Sequence, residues 1–247
     1  MKDKLINAEH ELDETYWWFV GRRAIVTQIL SKFVKQAAVA VDVGCGSGRN
    51  MLILRNHAGL TIGLDRSSAA LALASALGFP VARADGQVLP LAAGSADLLT
   101  ALDVLEHLDN DMTALAEFHR VLRPNGFLLL TVPAYRFLWS EHDEALLHRR
   151  RYVASELHIK LARSGFRAVK RSYAVFFPFF PIVLYRLFRG LVPKNPLEPA
   201  ASHVMLPGPL NSLFVAALRL EGRLMGGISL PWGTSIIAVA QKLPPAA

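Results

Sequence analysis

Apolar and polar positions follow one another along this chain in blocks that predict strands separated by amphipathic helices. Ile25, Ile29 and Phe33 recur at helical spacing just ahead of the first strand-like apolar run. Helices are predicted at residues 24–34, 49–57, 111–123 and 155–164, and strands at residues 39–43, 61–65, 80–83, 97–102, 127–132, 166–173 and 234–242. Because strands and helices alternate, the pattern predicts an α/β fold whose parallel sheet has helices on both faces.

The segment between the last two predicted strands, residues 174–233, is strongly apolar. It begins with FFPFFPIVLY at residues 176–185, and a second apolar helix is predicted at residues 210–220. The uncharged run at residues 172–185 is too short to span a bilayer and contains Pro178 and Pro181. The segment is therefore either a helical lid that completes the core or a surface that binds an amphiphilic acceptor or a membrane.

Alternating glycines follow the first predicted strand, in the segment VAVDVGCGSG at residues 39–48. Gly44, Gly46 and Gly48 suit either an ordinary tight turn or a loop of positive φ that lets a ligand approach bare backbone. The second strand ends in Asp65, where a carboxylate is well placed to accept both hydroxyls of a ribose. Together these features favour a nucleoside-containing cofactor at the carboxyl ends of a parallel sheet.

The spacing of the glycines narrows the choice of cofactor. A dinucleotide-binding loop would read GxGxxG, but Arg49 stands at the position of its last glycine, and no Gly-Lys-Ser/Thr of a P-loop follows. An acid followed by GxGxG, here DVGCGSG at residues 42–48, resembles the first motif of the class I S-adenosylmethionine (SAM)-dependent methyltransferases, in their type 11/12 small-molecule branch. Further motifs agree in order: GLD at residues 63–65, ADG at 84–86, DLLTALDVLEH at 97–107 and LRPNGFLLLTV at 122–132.

The resemblance implies a Rossmann-like seven-stranded sheet whose last two strands form an antiparallel hairpin at the edge. It implies a single methyltransferase domain over residues 1–247, in which residues 1–36 form an N-terminal lid and helix. Residues 174–233 would then be an apolar helical insert between the last two strands.

The same resemblance assigns SAM as cofactor and carries its contacts over motif by motif. Asp42 would help to hold the methionine amino group, and Asp65 would take the ribose hydroxyls. Arg66 would lie against the adenine ring, and Asp85 would accept a hydrogen bond from the adenine amino group. The remaining expected cofactor contacts are Gly44, Cys45, Gly46, Gly48, Gly86, Asp103 and Val104. Asp103 has an alternative role as a helix cap, and Cys45, the only cysteine, is better explained as a small loop residue than as a nucleophile.

Large aromatic residues are concentrated before the first predicted helix, at Tyr16, Trp17 and Trp18, and Arg22 follows them. Such side chains are too costly to leave exposed, so they either staple the core or fold over the cofactor. In the second interpretation Trp17 and Arg22 contact the cofactor, with Arg22 clamping the methionine carboxylate. Tyr16 and Trp18 would then contact the acceptor.

Methyl transfer needs chiefly alignment of the acceptor, and a base only where the acceptor must lose a proton. Three histidines are candidate bases: His107, His142 and His148. The alternatives are that His107 packs near the cofactor with no proton role and that the others belong to a solvated basic loop. Further acceptor contacts are expected from Arg150, Tyr152, Phe176 and Phe180. No metal site is predicted.

The net charge of the chain indicates which classes of partner it could bind. A net charge of +7 points to nucleic acid or to an anionic membrane surface. The polar N-terminus lacks the apolar core of a signal peptide, which predicts a cytoplasmic protein, bound peripherally at the inner membrane face if the insert contacts lipid. The sequence leaves the oligomeric state open.

Three function classes compete: a methyltransferase for a small or lipid-like acceptor, an RNA methyltransferase, and a membrane-associated protein that only retains SAM. The fourth strand ends in LDVLEH, whereas enzymes that methylate nucleic-acid amino groups typically carry Asn/Asp-Pro-Pro-aromatic there. Cys45 lies in the cofactor loop and so cannot be the nucleophile of a cytosine C5 enzyme. Intact acids at residues 42, 65 and 85 argue against a degenerate site. We therefore predict an enzyme of the first class; the acceptor and the methylated atom stay open.

Overall fold

A central sheet of seven strands organises the computed structural model, which describes residues 12–34, 36–189 and 206–244. The strands are β1 (Ala37–Val43), β2 (Ala58–Asp65), β3 (Val81–Arg83), β4 (Ala96–Leu102), β5 (Leu122–Pro133), β6 (Phe166–Ala174) and β7 (Ser235–Lys242). Their order across the sheet is β3-β2-β1-β4-β5-β7-β6. Neighbours among β1 to β5 are parallel, and β7 runs antiparallel to both β5 and β6. The predicted Rossmann-like sheet with its antiparallel hairpin is confirmed.

Helices separate the strands and cover both faces of the sheet. They are α1 (Trp17–Phe33), α2 (Met51–Leu54), α3 (Ser68–Ala76), α4 (Asp111–Val121), α5 (Glu141–Ala145), α6 (Ala154–Arg163), α7 (Phe179–Arg189) and α8 (Gly208–Met225). Helix α1 starts earlier than predicted, because its aromatic first turn packs against α8, and α2 is shorter than predicted. Helix α6 begins at Ala154, one residue earlier than predicted, and Val153 precedes it.

The core lies on both sides of the sheet, which explains why β4, β5 and β7 read as continuous apolar runs. On one face Leu115 and Phe118 of α4 pack against the sheet, each fully buried. On the other face Ile25 and Ile29 of α1 pack together with Leu218 of α8. Burying such a side chain contributes about 1.5–3 kcal/mol, so α8 adds substantially to this second core layer.

Helix α8 approaches α1 closely because glycines stand at the crossing. A Cβ at Gly21 would lie 2.2 Å from Cδ1 of Leu218, and one at Gly222 would lie 3.0 Å from the Cα of Ile25. Part of the insert thus packs as core, as the lid interpretation expects. Residues 1–11 and 190–205, which belong to the predicted lid and insert, lie outside the described residues.

The insert leaves and re-enters the sheet at one edge. Pro133, at the end of β5, pairs with Ser235, which in turn pairs with Ala174 at the end of β6. Residues 174–233 therefore begin and end beside the carboxyl end of β5, the edge at which open α/β sheets bind ligands. Within the described ranges, no helix combines the length and apolarity needed to cross a bilayer.

A buried acid fastens the start of the insert. Glu221 of α8 is fully buried, and one of its carboxylate oxygens accepts a hydrogen bond of 2.9 Å from the backbone N–H of Phe176. Burial raises the pKa of Glu221 to about 7, because desolvation outweighs the hydrogen bonds from backbone N–H groups.

Glu221→Gln should therefore remove a pH-dependent loss of stability. The raised pKa means that the carboxyl stabilises the fold fully below its ordinary pKa of 4.5, and that this contribution is lost as the pH rises through about 7. Between pH 5 and pH 8 the free energy of unfolding of the variant should rise relative to the parent by up to ~3 kcal/mol. Urea unfolding of both proteins at each pH measures this, and a difference that stays constant with pH would contradict it.

A candidate active site at the carboxyl edge of the sheet

The glycine loop that follows β1 combines close packing with one open position. A Cβ at Gly44 would lie 2.5 Å from Cγ2 of Val104, and one at Gly48 would lie 2.9 Å from the Cα of Ala74, so both glycines are required by packing. Gly46 has a φ of +53°, and a Cβ added there would meet nothing within 4 Å. The loop thus leaves its backbone uncovered at Gly46, a feature that a ligand-binding loop requires.

Asp42 lies beneath this loop with one oxygen unpaired. Its Oδ1 accepts a hydrogen bond of 2.6 Å from the Thr100 hydroxyl, whereas Oδ2 is buried and has no hydrogen-bond partner within the described part of the chain. Burial raises the pKa of Asp42 to about 7. An orphaned carboxylate oxygen beside a ligand loop fits a site completed by a cationic group such as an amino group.

Two more acids stand where the following strands end. Asp65, the last residue of β2, accepts hydrogen bonds from the backbone N–H groups of Gly46 at 3.0 Å and Ser67 at 2.8 Å. Asp85 follows β3 and accepts from the N–H of Gln87 at 2.9 Å, an interaction that lowers the pKa of Asp85. These acids and the glycine loop therefore share one edge of the sheet, around the point where strand order reverses between β1 and β4.

The other predicted cofactor contacts lie around this group. Arg66 is largely exposed, with its Nε 3.8 Å from a carboxylate oxygen of Asp85. Gly86 lies under Leu108, whose Cδ1 would be 3.2 Å from an added Cβ. Cys45 is buried, and burial raises the pKa of its thiol, so it remains a neutral loop residue.

The segment before α1 contacts the glycine loop directly. The Ser47 hydroxyl donates to Asp13 at 2.7 Å, and Arg23 donates to the same carboxylate at 2.8 Å. An ion pair of 2.7 Å joins Arg49 to Glu14. The described residues of the N-terminal segment thus lie against the loop, a placement that supports the lid hypothesis.

Asp103, at the end of β4, is held in an unfavourable backbone conformation. Its φ is +57°, a region that costs a non-glycine residue about 1–3 kcal/mol. Its side chain accepts a hydrogen bond of 3.0 Å from the Thr131 hydroxyl and forms an ion pair with Arg22. The following 3-10 turn (Leu105–His107) is preceded by Val104 and has no side-chain cap, so Asp103 is not its cap. A strained, charge-paired residue at a strand end is typical of a functional position.

Arg22 reaches Asp103 from α1, and Trp18 covers it, with the guanidinium carbon 4.9 Å from the indole centroid. The other two aromatic side chains lie elsewhere. Tyr16 and Trp17 are 5% and 7% exposed, and the Trp17 ring meets Phe214 of α8 edge-on at 5.1 Å. The structure therefore places Tyr16 and Trp17 in the core, and not in the cofactor or acceptor contacts predicted for them.

His107 and His148 come together although they follow different strands. Their ring centroids are 4.7 Å apart, and Nδ1 of His148 lies 2.9 Å from Oδ1 of Asp143. Arg151 donates to both oxygens of Asp143, at 2.8 and 3.0 Å. Burial alone would raise the pKa of Asp143, but the hydrogen bonds of His148 and Arg151 outweigh it and hold this pKa well below its usual range. The imidazole of His148 is thus held by a carboxylate that stays ionised.

The remaining polar residues predicted for the acceptor have structural contacts. Tyr152 is fully buried and donates to Asp111 at 2.9 Å, which removes it from any acceptor surface. Arg150 donates to the carbonyls of Leu108 and Asp109 at 2.9 and 2.8 Å. His142 lies on α5 outside the pair of imidazoles.

Aromatic residues of the insert and of the β5 end form a wall at the same edge. We call Tyr135, Phe176, Phe179, Phe180 and Trp232 the aromatic wall. Phe176 stacks on Trp232 with centroids 5.3 Å apart, and Phe180 meets the same indole at 5.6 Å. The ring centroids of Phe179 and Tyr135 are 5.7 Å apart, and Tyr135 lies two residues after the end of β5. The insert therefore brings apolar surface to the edge that carries Asp103.

Sequence reasoning assigned no role to Thr100, Thr131, Glu106 or Asp143. Glu106 is fully buried, and burial, reinforced by Asp103, raises its pKa well above the usual value. The sequence did give one indication for Glu106, its position. It stands between the end of β4 and the candidate base His107, where an acidic residue suggests a functional role. Thr100 and Thr131 gave no such indication, because in the sequence they resemble ordinary strand residues.

Comparisons with known proteins agree with this geometry. Residues 41–130 match the model of a methyltransferase domain, Methyltransf_11. A probable S-adenosylmethionine-dependent methyltransferase of Mycolicibacterium smegmatis is 32% identical over 168 residues, which cover 66% of this chain and 64% of that protein. The malonyl-[acyl-carrier protein] O-methyltransferase of Enterobacter lignolyticus is 27% identical, with 76% of this chain and 78% of that protein covered.

Among solved structures, the methyltransferase of Haloferax volcanii in complex with the Trm112 methyltransferase activator has the same fold. Its TM-score is 0.64 at 17% identity, over 98% of this chain and 97% of that one. The chain spans just under two thirds of the length of its Mycolicibacterium relative. Motifs, strand order and family match thus agree: the chain carries a class I S-adenosylmethionine-dependent methyltransferase domain.

Proposed function

We propose that this protein transfers a methyl group from SAM to a small or lipid-like acceptor at the carboxyl edge of its sheet. The observation that carries the proposal is Gly46, a left-handed glycine with open space above it, between the acids Asp42 and Asp65. Calorimetry with SAM and with NAD tests it. Micromolar SAM binding is expected, and tight NAD binding without SAM binding would overturn it.

The residues present fit the cofactor that the family implies. Asp42 offers a buried unpaired oxygen for the methionine end, and Asp103 with Arg22 lies at the neighbouring strand end. Asp65 would hold the ribose and Asp85 the adenine. When bound, SAM supplies a cationic sulfonium methyl, so the chain's own task is to align the acceptor and exclude water. Arg22 and Trp18 are placed to close over this point from α1.

An apolar acceptor is favoured by the aromatic wall and by the exposed face of α7. Phe180, Leu184 and Phe188 follow one another at helical spacing and are 60%, 57% and 54% exposed. Exposed apolar side chains in a continuous row mark a surface for an apolar ligand or membrane. One relative is named for an acyl-carrier-linked substrate, which is compatible with an acyl chain on this surface.

In this proposal His148 or His107 acts as the base that removes a proton from the acceptor. His148 is oriented by Asp143 in the way that carboxylates orient catalytic imidazoles, and it lies beyond the end of β5, away from the adenosine half of the site. Arg150 instead donates to the carbonyls of Leu108 and Asp109. The proposal therefore assigns acceptor handling to the two paired imidazoles.

If the α7 face binds lipid, replacing its apolar row should abolish that binding. We expect the parent to sediment with anionic vesicles and to keep part of this binding at high salt, because apolar burial survives charge screening. The variant carrying serine at residues 180, 184 and 188 should lose it and should keep its SAM affinity. Phe176 and Phe179 are left unchanged, since both are much less exposed than Phe180.

A matched control carries serine at exposed apolar positions elsewhere on the surface: Ile159, Val169 and Leu243. It should bind vesicles like the parent. Absence of vesicle binding in the parent would contradict the lipid surface and leave a small soluble acceptor, which a screen of extracts with labelled SAM would then identify.

A further inference from the structure

Three side chains able to bind metal converge beside Asp103. Glu106 and His107 belong to the 3-10 turn after β4, and His148 follows α5. One ligand atom of each lies within 4.8 Å of those of the other two. Residues from two separate stretches of chain thus meet at one point of the carboxyl edge.

Glu106 gives an independent indication that this point takes a ligand. Its side chain is fully buried, and neither carboxylate oxygen has a hydrogen-bond partner within the described part of the chain. A buried carboxylate left without partners costs several kcal/mol unless it is paired, protonated or bound to a metal. The fold tolerates this cost at a position that faces two imidazoles.

The surroundings of His148 resemble an outer coordination shell. Its Nδ1 lies 2.9 Å from Asp143, so the hydrogen bond fixes the ring and leaves Nε2 to bind another group. Arg151 holds Asp143 from the other side through both carboxylate oxygens. A carboxylate that orients a histidine in this way is the usual support of a metal-binding imidazole.

We propose that Glu106, His107 and His148 bind one divalent first-row transition metal ion, and we take Zn²⁺ as its representative. Two imidazoles and one carboxylate form a ligand set that holds catalytic zinc with a fourth position left open. Tetrahedral zinc places its ligand atoms about 3.4 Å apart, so the three groups need to close by roughly an ångström. Sequence analysis predicts no metal here, because the spacing of residues 106, 107 and 148 matches no linear motif.

Metal binding does not depend on the proposed methyl transfer. A role of the metal ion in catalysis, however, rests on that proposed function. In that role the open position takes a hydroxyl oxygen of the acceptor, which makes alcohols and phenols the expected acceptor class. The bound hydroxyl releases its proton to solvent, its oxygen forms the bond to the methyl carbon, and the sulfonium carbon–sulfur bond breaks to leave a neutral thioether. His148 then acts as a ligand and not as the base.

The test measures metal directly on the full chain. After removal of metal with EDTA, titration with Zn²⁺ should show one site per chain, and Co²⁺ should give the visible absorption of a four-coordinate site. Glu106→Gln keeps the shape of the side chain and should weaken Zn²⁺ binding at least 10-fold and change the Co²⁺ spectrum. Asp143→Asn should weaken binding by 10–100-fold, the range found for supporting groups.

His158→Ala provides the matched control, because His158 is an exposed histidine on α6. It should bind Zn²⁺ and Co²⁺ like the parent. Circular dichroism establishes that each variant is folded. No stoichiometric site in the parent, or unchanged binding in Glu106→Gln, would overturn the inference. SAM calorimetry on the same samples separates the two proposals, since metal binding without SAM binding refutes only the methyl transfer.

Discussion

Replacing Gly46 with valine is expected to abolish SAM binding while the sheet stays folded. The residue has a φ of +53° and nothing within 4 Å of its missing Cβ, so a side chain there would fill the space that the cofactor needs. The left-handed conformation costs a non-glycine residue about 1–2 kcal/mol, which a domain of this size can absorb. Calorimetry with SAM measures the loss, and circular dichroism checks the fold.

Gly78→Val is the matched control for this experiment. Gly78 also has a left-handed φ, +84°, and open space around its missing Cβ, but it precedes β3 at the opposite edge of the sheet. The two variants should lose similar stability, while only Gly46→Val loses SAM. Equal SAM affinities in both variants would show that the glycine loop does not contact the cofactor.

His148→Asn is expected to reduce turnover by about 10²–10⁴-fold with little change in SAM affinity. The asparagine amide can still donate to Asp143, so the buried carboxylate keeps a partner, whereas the group at the Nε2 position is lost. The loss follows whether His148 removes the proton itself or holds a metal ion that does so. Turnover is measured with the acceptor found in the labelled-SAM screen, and SAM affinity by calorimetry.

His158→Ala should retain the turnover of the parent, since this exposed histidine lies on α6. If His148→Asn loses SAM affinity and turnover together, the imidazole pair belongs to the cofactor site, and our division between cofactor and acceptor is wrong. Rescue of turnover by added Zn²⁺ in the parent but not in the variant would favour the metal-ligand role over the base.

The glycine loop and the acids of the proposed cofactor site could be recognised in the sequence because they are encoded locally. The turn after β1 requires glycine for reasons of backbone conformation and close packing. Asp65 ends β2, and Asp85 lies two residues after β3. The parallel sheet with helices on both faces was predictable for a related reason: alternating strand and helix patterns permit few connections in an α/β sheet. These features depend on residues that are close together in the sequence, so a sequence motif is enough to predict them.

The arrangement of residues in the proposed acceptor half was decided by contacts between distant parts of the chain. Arg22 and Asp103 are 81 residues apart in sequence, and no local pattern indicates that they pair. Tyr16 and Trp17 were expected at the site, yet both lie in the core layer that α1 forms with α8, where Trp17 meets Phe214.

By itself the sequence determined the sheet, the cofactor loop and the acids around it, since each follows from the conformation of a short segment. Only the tertiary structure decided that Glu106, His107 and His148 meet, and that α8 packs closely against α1. The end of a strand fixes the position of a residue's backbone. The packing of separate helices and loops determines which groups its side chain contacts.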